Sequence, residues 1–236
     1  MQLIKHGDLP IGSDRELIAQ YLPLHDTTLL ELGCGTAFAT RQISKAYPGV
    51  KIIATEVDLI QHEKNLQISD LPNVSFRYGG AEAIEAEDAS IDVVIMLKSL
   101  HHVPPGLMDR GFDEIARVLR PGGLVYISEP VYAGRFNEIM RLFHDEKVVR
   151  EAAFNAIRNA VASGKFELAK EVHCKSLTRF EGFEDFEHRI LGATHSDFDI
   201  DQELYEKIKA AFIPHIGSDG IAEFHNPLRV DILRRN

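Results

Sequence analysis

The sequence contains no tryptophan and only two cysteines in 236 residues. The missing tryptophan excludes nothing. Two thiols, Cys34 and Cys174, exclude a framework of disulfides. Cys34 also lies inside a glycine turn, where a bridge would block the approach of a ligand, so both read as free thiols of a reducing cytoplasm. Long apolar runs are lacking too. Stretches such as Val93 to Leu97 fall far short of the roughly 20 apolar residues that cross a bilayer. Residues 1 to 20 carry Lys5, His6, Asp8, Asp14 and Arg15, unlike a secretory leader. Basic charge is in deficit: 26 Lys and Arg face 36 Asp and Glu, a net charge of −10. That average field repels a long polyanion, so a non-specific nucleic-acid binder is disfavoured, although Arg229, Arg234 and Arg235 cluster near the C-terminus. No repeat, low-complexity tract or Gly/Ser linker divides the chain, and 1–236 reads as a single domain.

What is present is alternation. Apolar runs exchange with helix-period segments, the pattern of βαβ units and a parallel sheet. A helix is expected over 13–22, with Ser13 as N-cap and Glu16 three residues on. TTLLEL (27–32) is a first strand, 37–47 a helix closed by Pro48-Gly49, and VKIIATE (50–56) a second strand. A helix from Leu59 to Ser69 and a strand from Asn73 to Tyr78 follow. IDVVIML (91–97) is apolar nearly throughout, as a strand covered on both faces would be. Residues 106–119 form a helix stopped by Pro121-Gly122-Gly123, and LVYISE (124–129) is the fifth strand. After Pro130 the texture changes. Residues 134–169, 182–193 and 201–213 read as helices, with KEVHCKSLTRF (170–180) and PLRVDILRR (227–235) as closing strands. The chain thus divides into a ligand-binding half, 1–130, and a helical cover with closing strands, 131–236.

The segment TLLELGCGTAF (28–38) carries the functional signal. In a doubly wound sheet, ligands sit beyond the C-terminal ends of the strands. Gly33 and Gly35 lack a Cβ, so a ligand can approach the backbone, and the following helix offers free N–H groups. Two glycines also suit a plain strand-to-helix turn, and the neighbours weigh against that reading. Glu31 stands two residues before Gly33, a poor neighbour for a pyrophosphate and a good one for a cation. Glu56 ends the second strand 21 residues after Gly35, where an acid accepts hydrogen bonds from a ribose diol. No third glycine follows, since Phe38 and Ala39 stand there. These features point away from NAD and toward a nucleoside that lacks phosphates and bears a positive charge.

In order, LLELGCGTA, IIATEVD, VSFRYGGAEAI, DASIDVVIMLKSLHHV and IARVLRPGGLVYISEP resemble the Rossmann-like (class I) S-adenosylmethionine-dependent methyltransferases over roughly residues 25–130. The similarity is greatest to the small-molecule branch that includes quinone-biosynthesis methyltransferases. The resemblance implies an α/β fold: a doubly wound, mostly parallel seven-stranded sheet with a helical cover inserted after the fifth strand. It implies S-adenosylmethionine as cofactor, with Glu31 near the methionine amino group and the Gly33 and Gly35 backbone against methionine and sugar. Glu56 would hold the ribose hydroxyls, Ala81 and Glu82 would border the adenine, and Lys98 would face methionine and acceptor. Gly80 departs from the family, which often carries an acid there. Either Glu82 substitutes, or backbone and packing hold the adenine.

Methyl transfer is an in-line displacement on a sulfonium, so a protein mainly aligns the nucleophile and keeps it dry. A base helps only when the acceptor arrives protonated. His101 and His102, in LKSLHHV, are the candidate bases; alternatively one caps the turn before Pro104-Pro105 and the other lies on the surface. Glu129 either faces substrate or caps a helix. His144, Asp145 and Glu146 resemble a metal cluster in composition, but on a helix they would point to different faces, and His173 with Cys174 lacks further ligands. No metal is expected. The aromatics Phe136, Phe143, Phe154, Phe166, Phe183, Phe186 and Phe198 are core or the lining of an acceptor pocket.

The expected function is S-adenosylmethionine-dependent methylation of a small organic acceptor at an unspecified atom. An NAD(P)-linked oxidoreductase is opposed by Glu31 and the missing third glycine. A non-catalytic nucleotide-binding regulator is the other alternative. An RNA methyltransferase is disfavoured by charge and by Lys98-Ser99-Leu100-His101, which stands where amino-methylating enzymes carry Asn/Asp-Pro-Pro-aromatic. The expected partner is a small molecule, without nucleic acid or membrane span, and a homodimer is left open.

Overall fold

The computed structural model describes residues 1–5, 7–192 and 198–236. Seven strands form one sheet in the order β3-β2-β1-β4-β5-β7-β6. The first five are β1 (Thr28–Leu32), β2 (Lys51–Glu56), β3 (Val74–Tyr78), β4 (Ile91–Leu97) and β5 (Leu119–Pro130). They run parallel, with Leu30 in register with Ile53 on one side and Val94 on the other. β6 (Phe166–Phe180) and β7 (Ala222–Arg235) close the sheet, β7 running antiparallel to both β5 and β6. This is the expected doubly wound, mostly parallel sheet. The chain builds outward from β1 to β3, then returns to place β4 on the other flank of β1. Its connections therefore diverge at β1 and β4 and leave a crevice beyond their C-terminal ends.

Period-two alternation divides the core. Leu30, Leu32, Val94 and Met96 face one side of the sheet, beneath α4 (Pro105–Val118) and α6 (Lys147–Ala162), where Met108, Phe112, Ile115 and Ile157 meet them. Leu29, Val93 and Ile95 face the other side, against Leu17 and Ile18 of α1 (Asp14–Tyr21) and Ile43 of α2 (Phe38–Ala46). Each such fully buried aliphatic or aromatic side chain contributes about 1.5–3 kcal/mol. α1 starts with the expected capping box: Glu16 N donates to Ser13 Oγ, and Ser13 N donates to Glu16 Oε2 at 3.0 Å.

Three boundaries differ from expectation. The helix expected to end at Ser69 is α3 (Leu59–Asn65), and Asn65 Nδ2 donates to the Gly35 carbonyl at 2.8 Å. Pro121-Gly122-Gly123 does not separate helix from strand; it forms an irregularity inside β5, where the pairing with β4 shifts between Ile91 and Val93. Residues 134–169 are not continuously helical. α5 (Arg135–Met140) and α6 leave a gap, and Gly164, with φ of 78°, turns the chain into β6 at Phe166.

The cover comes in two parts, before and after β6. α7 (Phe183–Phe186), a π turn over Glu187–Leu191 and α8 (Gln202–Phe212) follow that strand. Phe180, Phe183, Phe186, Phe212 and Phe224 build a third apolar cluster there. Of the expected aromatics, Phe136 stacks on Phe180, Phe166 lies edge-on to Phe112, and the Arg229 guanidinium covers Phe154. Phe143 and Phe198 pack edge to face. None of these lines the crevice. Among the described residues, no helix is long and apolar enough to cross a membrane.

Candidate active site

A cleft of about 1690 Å³ occupies the crevice. Glu31, Gly33, Gly35, Glu56, Ala81, Glu82, Lys98 and His102 all line it, so the structure brings together every expected site residue except His101. Gly33 has φ of 77°, and a Cβ there would lie 2.8 Å from Ser99 Cβ. Ser99 is itself fixed, its Oγ donating to the Leu32 carbonyl at 2.7 Å. Only glycine fits this approach of the β1 and β4 tips.

Glu56 is clamped by main-chain amides. Gly35 N donates to its Oε2 at 2.7 Å, and Val57 N and Asp58 N donate to its Oε1 at 2.8 and 2.9 Å. The carboxylate therefore stands rigid at the β2 tip, tying the glycine turn to the next loop.

Glu31 is buried, and Thr40 Oγ1 from α2 donates to its Oε2 at 2.6 Å. Burial pushes its carboxyl from 4.5 up to about 7; the Thr40 bond opposes this and the Glu56 charge adds to it. A positive group placed beside these two acids would favour the ionised form of Glu31 that burial and Glu56 disfavour. Cys34, between the two glycines, is held protonated by burial and then by the charges of Glu31 and Glu56. Both cysteines are free thiols, as expected.

Ala81 is buried beneath Gly111 of α4, whose added Cβ would touch the Ala81 Cβ at 3.4 Å. Gly80 and Glu82 explain each other. A Cβ at Gly80 would lie 2.9 Å from Glu82 Cδ, so the Glu82 carboxylate occupies the space that a side chain at 80 would use. Lys98 has a left-handed backbone, φ of 57°, and its N–H donates to the Ser128 carbonyl at 2.7 Å. Its Nζ lies 3.8 Å from Asp14 Oδ2, and Tyr126 OH donates to Asp14 Oδ1 at 2.9 Å.

Of the two candidate bases, His101 is placed away from the cleft. It is buried outside the cleft lining, with Nδ1 2.5 Å from Glu129 Oε2 and Nε2 3.5 Å from Glu146 Oε1. Burial alone would lower its pKa, but the two carboxylates raise it to about 9, so at neutral pH it carries its proton and accepts none. His102 does line the cleft, its ring lying against His101 with centroids 4.1 Å apart. Glu129 does not line the cleft and instead caps the 3-10 turn Leu100–His102 from β5: its Oε1 accepts from Leu100 N at 3.0 Å and its Oε2 holds His101.

Sequence reasoning missed several participants. Glu146 was expected on a solvated helix, but α6 begins only at Lys147 and residues 144–146 lie before it, free to turn inward. Glu146 is buried between His101, His144 and Arg150, and although burial opposes it, His101 and then Arg150 hold its carboxyl far below the usual range. The N-terminal segment was also missed. Gly12 N donates to the Lys175 carbonyl at 3.1 Å and Lys175 N to the Pro10 carbonyl at 2.8 Å, which lays Ile11 along β6 at the cleft edge. Phe38, 70% exposed, stands at the same cleft; an aromatic straight after a glycine turn was the available signal. The expected basic cluster dissolves, since Arg229 pairs with buried Asp231, Arg234 with Glu167, and Arg235 with the Leu119 carbonyl.

The sheet order, the antiparallel closing strand and a crevice with acids at the β1 and β2 tips define the class I methyltransferase fold. Residues 29–123 match the family described as a methyltransferase domain. An uncharacterized methyltransferase of Mycobacterium tuberculosis is 35% identical over 108 residues, 46% of this chain and 42% of that relative. Phthiotriol/phenolphthiotriol dimycocerosates methyltransferase 1 of Mycobacterium ulcerans is 32% identical over 116 residues, 47% of this chain and 40% of the relative. These matches span well under half the length of each curated relative. Among solved structures, the YcgJ protein of Bacillus subtilis superposes with a TM-score of 0.64 at 17% identity, covering 94% of this chain and 97% of that one, a likeness of fold.

Proposed function

We propose that the chain is a methyltransferase that takes the methyl group of S-adenosylmethionine to a small organic acceptor. One observation carries this reading: a buried acid, Glu31, with its carboxyl raised to about 7 beside a glycine bend and a rigid second acid, Glu56. A phosphate would be repelled there, and an ammonium would restore the charge that burial opposes. The residues present fit the cofactor. Glu31 would take the methionine ammonium, the Gly33–Gly35 backbone would pack on methionine and sugar, and Glu56 would accept from the ribose hydroxyls. Ala81 and Glu82 would border the adenine, with Glu82 standing in for the acid missing at Gly80, and Lys98 would border the acceptor side. Bound there, the cofactor supplies a methyl group on a sulfonium leaving group.

The chain's own residues orient and exclude water. Ile11 and Phe38 border the cleft on apolar surface, and Ser99 holds the glycine bend. His102 is the residue for any proton that an acceptor must shed, since His101 is already protonated.

The whole of 1–236 acts as one unit in this reading, 1–130 holding cofactor and 131–236 supporting the acceptor side. Nucleic acid is not a partner, the free buried thiols fit a cytoplasmic setting, and a homodimer is testable by light scattering. Calorimetry with S-adenosylmethionine, its demethylated form and NAD(P) tests the central claim. One-site binding of the first two is expected; binding of NAD(P) instead, or of none, refutes it.

A further inference from the structure

We propose that His101, His102 and Glu146 bind one divalent transition ion of the zinc class at the edge of the cleft. The donor set is two imidazoles and one carboxylate, a combination that holds zinc with one position left open. The ligand atoms of the three residues all lie within 4.8 Å of one another. Two ligands at about 2.0–2.1 Å from a tetrahedral ion sit about 3.4 Å apart, and His101 Nε2 stands 3.5 Å from Glu146 Oε1. His102 is exposed, and its ligand atom already lies within 4.8 Å of those of His101 and Glu146.

The groups behind these ligands are already arranged as metal sites require. A ligating histidine characteristically gives its other ring nitrogen to a carboxylate, which fixes the tautomer. Glu129 Oε2 does this for His101, 2.5 Å from Nδ1, and leaves Nε2 turned toward Glu146; the ion takes the place of the proton on Nε2, which is released to solvent on binding. Leu100 N holds the other oxygen of Glu129 at 3.0 Å. Glu146 is oriented in the same way. Arg150 Nη2 takes its Oε2 at 2.5 Å, so Oε1 is the oxygen that meets His101 at 3.5 Å and His144 Nε2 at 3.0 Å. Because His102 also lines the cleft, the ion's open position would be next to the space assigned to the acceptor, within reach of an oxygen or sulfur donor.

Metal binding is independent of the methyl-transfer reading and is tested without turnover. Metal-stripped full-length protein is titrated with Co²⁺, followed by visible absorption, and with Zn²⁺ by calorimetry. One equivalent of each is expected, with the intense visible bands of a low-coordinate cobalt site. His102→Ala, which alters an exposed side chain, should abolish those bands. Glu129→Gln should weaken binding 10- to 100-fold, about the effect of losing an orienting partner. His25→Ala, at a distant exposed histidine, should change nothing and controls for surface binding. Absence of stoichiometric binding, or bands unchanged in His102→Ala, overturns the inference and leaves the cluster a buried ion network. Should Glu129→Gln fail to fold, as read by circular dichroism, His102→Ala decides alone. A protein that binds the demethylated cofactor but no Co²⁺ loses only this inference, and one that binds Co²⁺ but no cofactor loses only the methyl-transfer reading.

Discussion

Replacing Glu31 by glutamine should stabilise the empty protein and cripple cofactor binding together. The glutamine keeps the shape and can accept the Thr40 hydroxyl, but carries no charge. In the folded chain the Glu31 carboxyl titrates at about 7 instead of 4.5, because burial, and then the charge of Glu56, disfavour its ionised form. Cys34 is the other titratable group facing it, and its thiol stays protonated. The sign follows from linkage. A carboxyl whose folded pKa is raised contributes stability below its unfolded pKa, and that contribution is lost as pH rises through the folded value. At roughly 1.4 kcal/mol per pH unit, the wild type loses about 2–3 kcal/mol between pH 5 and pH 8 that Glu31→Gln does not lose. Any fixed cost of an unpaired amide N–H shifts both ends equally and leaves this difference intact. For a chain of this length 1 kcal/mol moves Tm by about 2–4 °C, so the variant's Tm relative to wild type should rise by about 4–12 °C from pH 5 to pH 8. Thermal unfolding of both proteins across that range, with and without the demethylated cofactor, measures it. A Tm difference that is flat with pH would refute the argument that Glu31 is a charge buried without its counterion.

Wild-type affinity for S-adenosylmethionine should also fall toward about tenfold per pH unit as pH drops below about 7, since only ionised Glu31 attracts the ammonium; an affinity independent of pH between 5.5 and 7 would sink that role. Glu56→Ala should weaken cofactor binding by about 1–3 kcal/mol, read by calorimetry, and unchanged affinity would remove Glu56 from the site. Gly33→Ala places a Cβ 2.8 Å from Ser99 Cβ at φ of 77°, and should cost at least about 1–3 kcal/mol in urea unfolding. His101→Ala leaves Glu129 and Glu146 without the cation between them and should destabilise by about 3–5 kcal/mol. His102→Ala should leave stability within about 0.5 kcal/mol and lower turnover more than cofactor affinity.

The left half of the sheet was legible because each strand there is specified by its own residues. IDVVIML reads as a strand covered on both faces, and the structure places it beside β1, with Val94 in register with Leu30. The acids at the β1 and β2 tips were legible for the same reason: a strand's end fixes where its last side chain stands. What was not legible depends on partners distant in sequence. Glu146 looks solvated until His101, 45 positions earlier, is found facing it. Glu129 reads from the sequence as facing substrate or capping a helix, and only the turn after β4, which brings Leu100 N and His101 to it, shows which groups it holds. The cleft's outer edge is Ile11 against β6, a contact between two segments that sequence periodicity cannot connect.

Among the described residues four non-glycines hold left-handed backbones; Lys98 lines the cleft and Ala37 sits between its lining residues Thr36 and Phe38, while Asp26 and Ala89 lie outside that lining. Lys98 and Ala37 hold left-handed backbones at the ends of β4 and before α2, and neither is a glycine; such residues cost of order 1–2 kcal/mol each. Glu31 adds its burial in the lining of the same cleft. The fold around them is otherwise consistent, from the capping box of α1 to the two apolar layers of the sheet. Local violations that the rest of the structure tolerates are expected where a ligand relieves them. Cofactor binding should therefore stabilise this chain by more than mass action on a relaxed site would suggest, and the excess should vanish in Glu31→Gln. The saturating Tm increase with the demethylated cofactor at pH 8, compared between wild type and Lys98→Gly, separates the two sources. Glycine removes the backbone strain together with the Lys98 ammonium and leaves Glu31 as it is, so an increase that persists in Lys98→Gly assigns the excess to Glu31, and one that shrinks assigns it to Lys98, backbone and ammonium together.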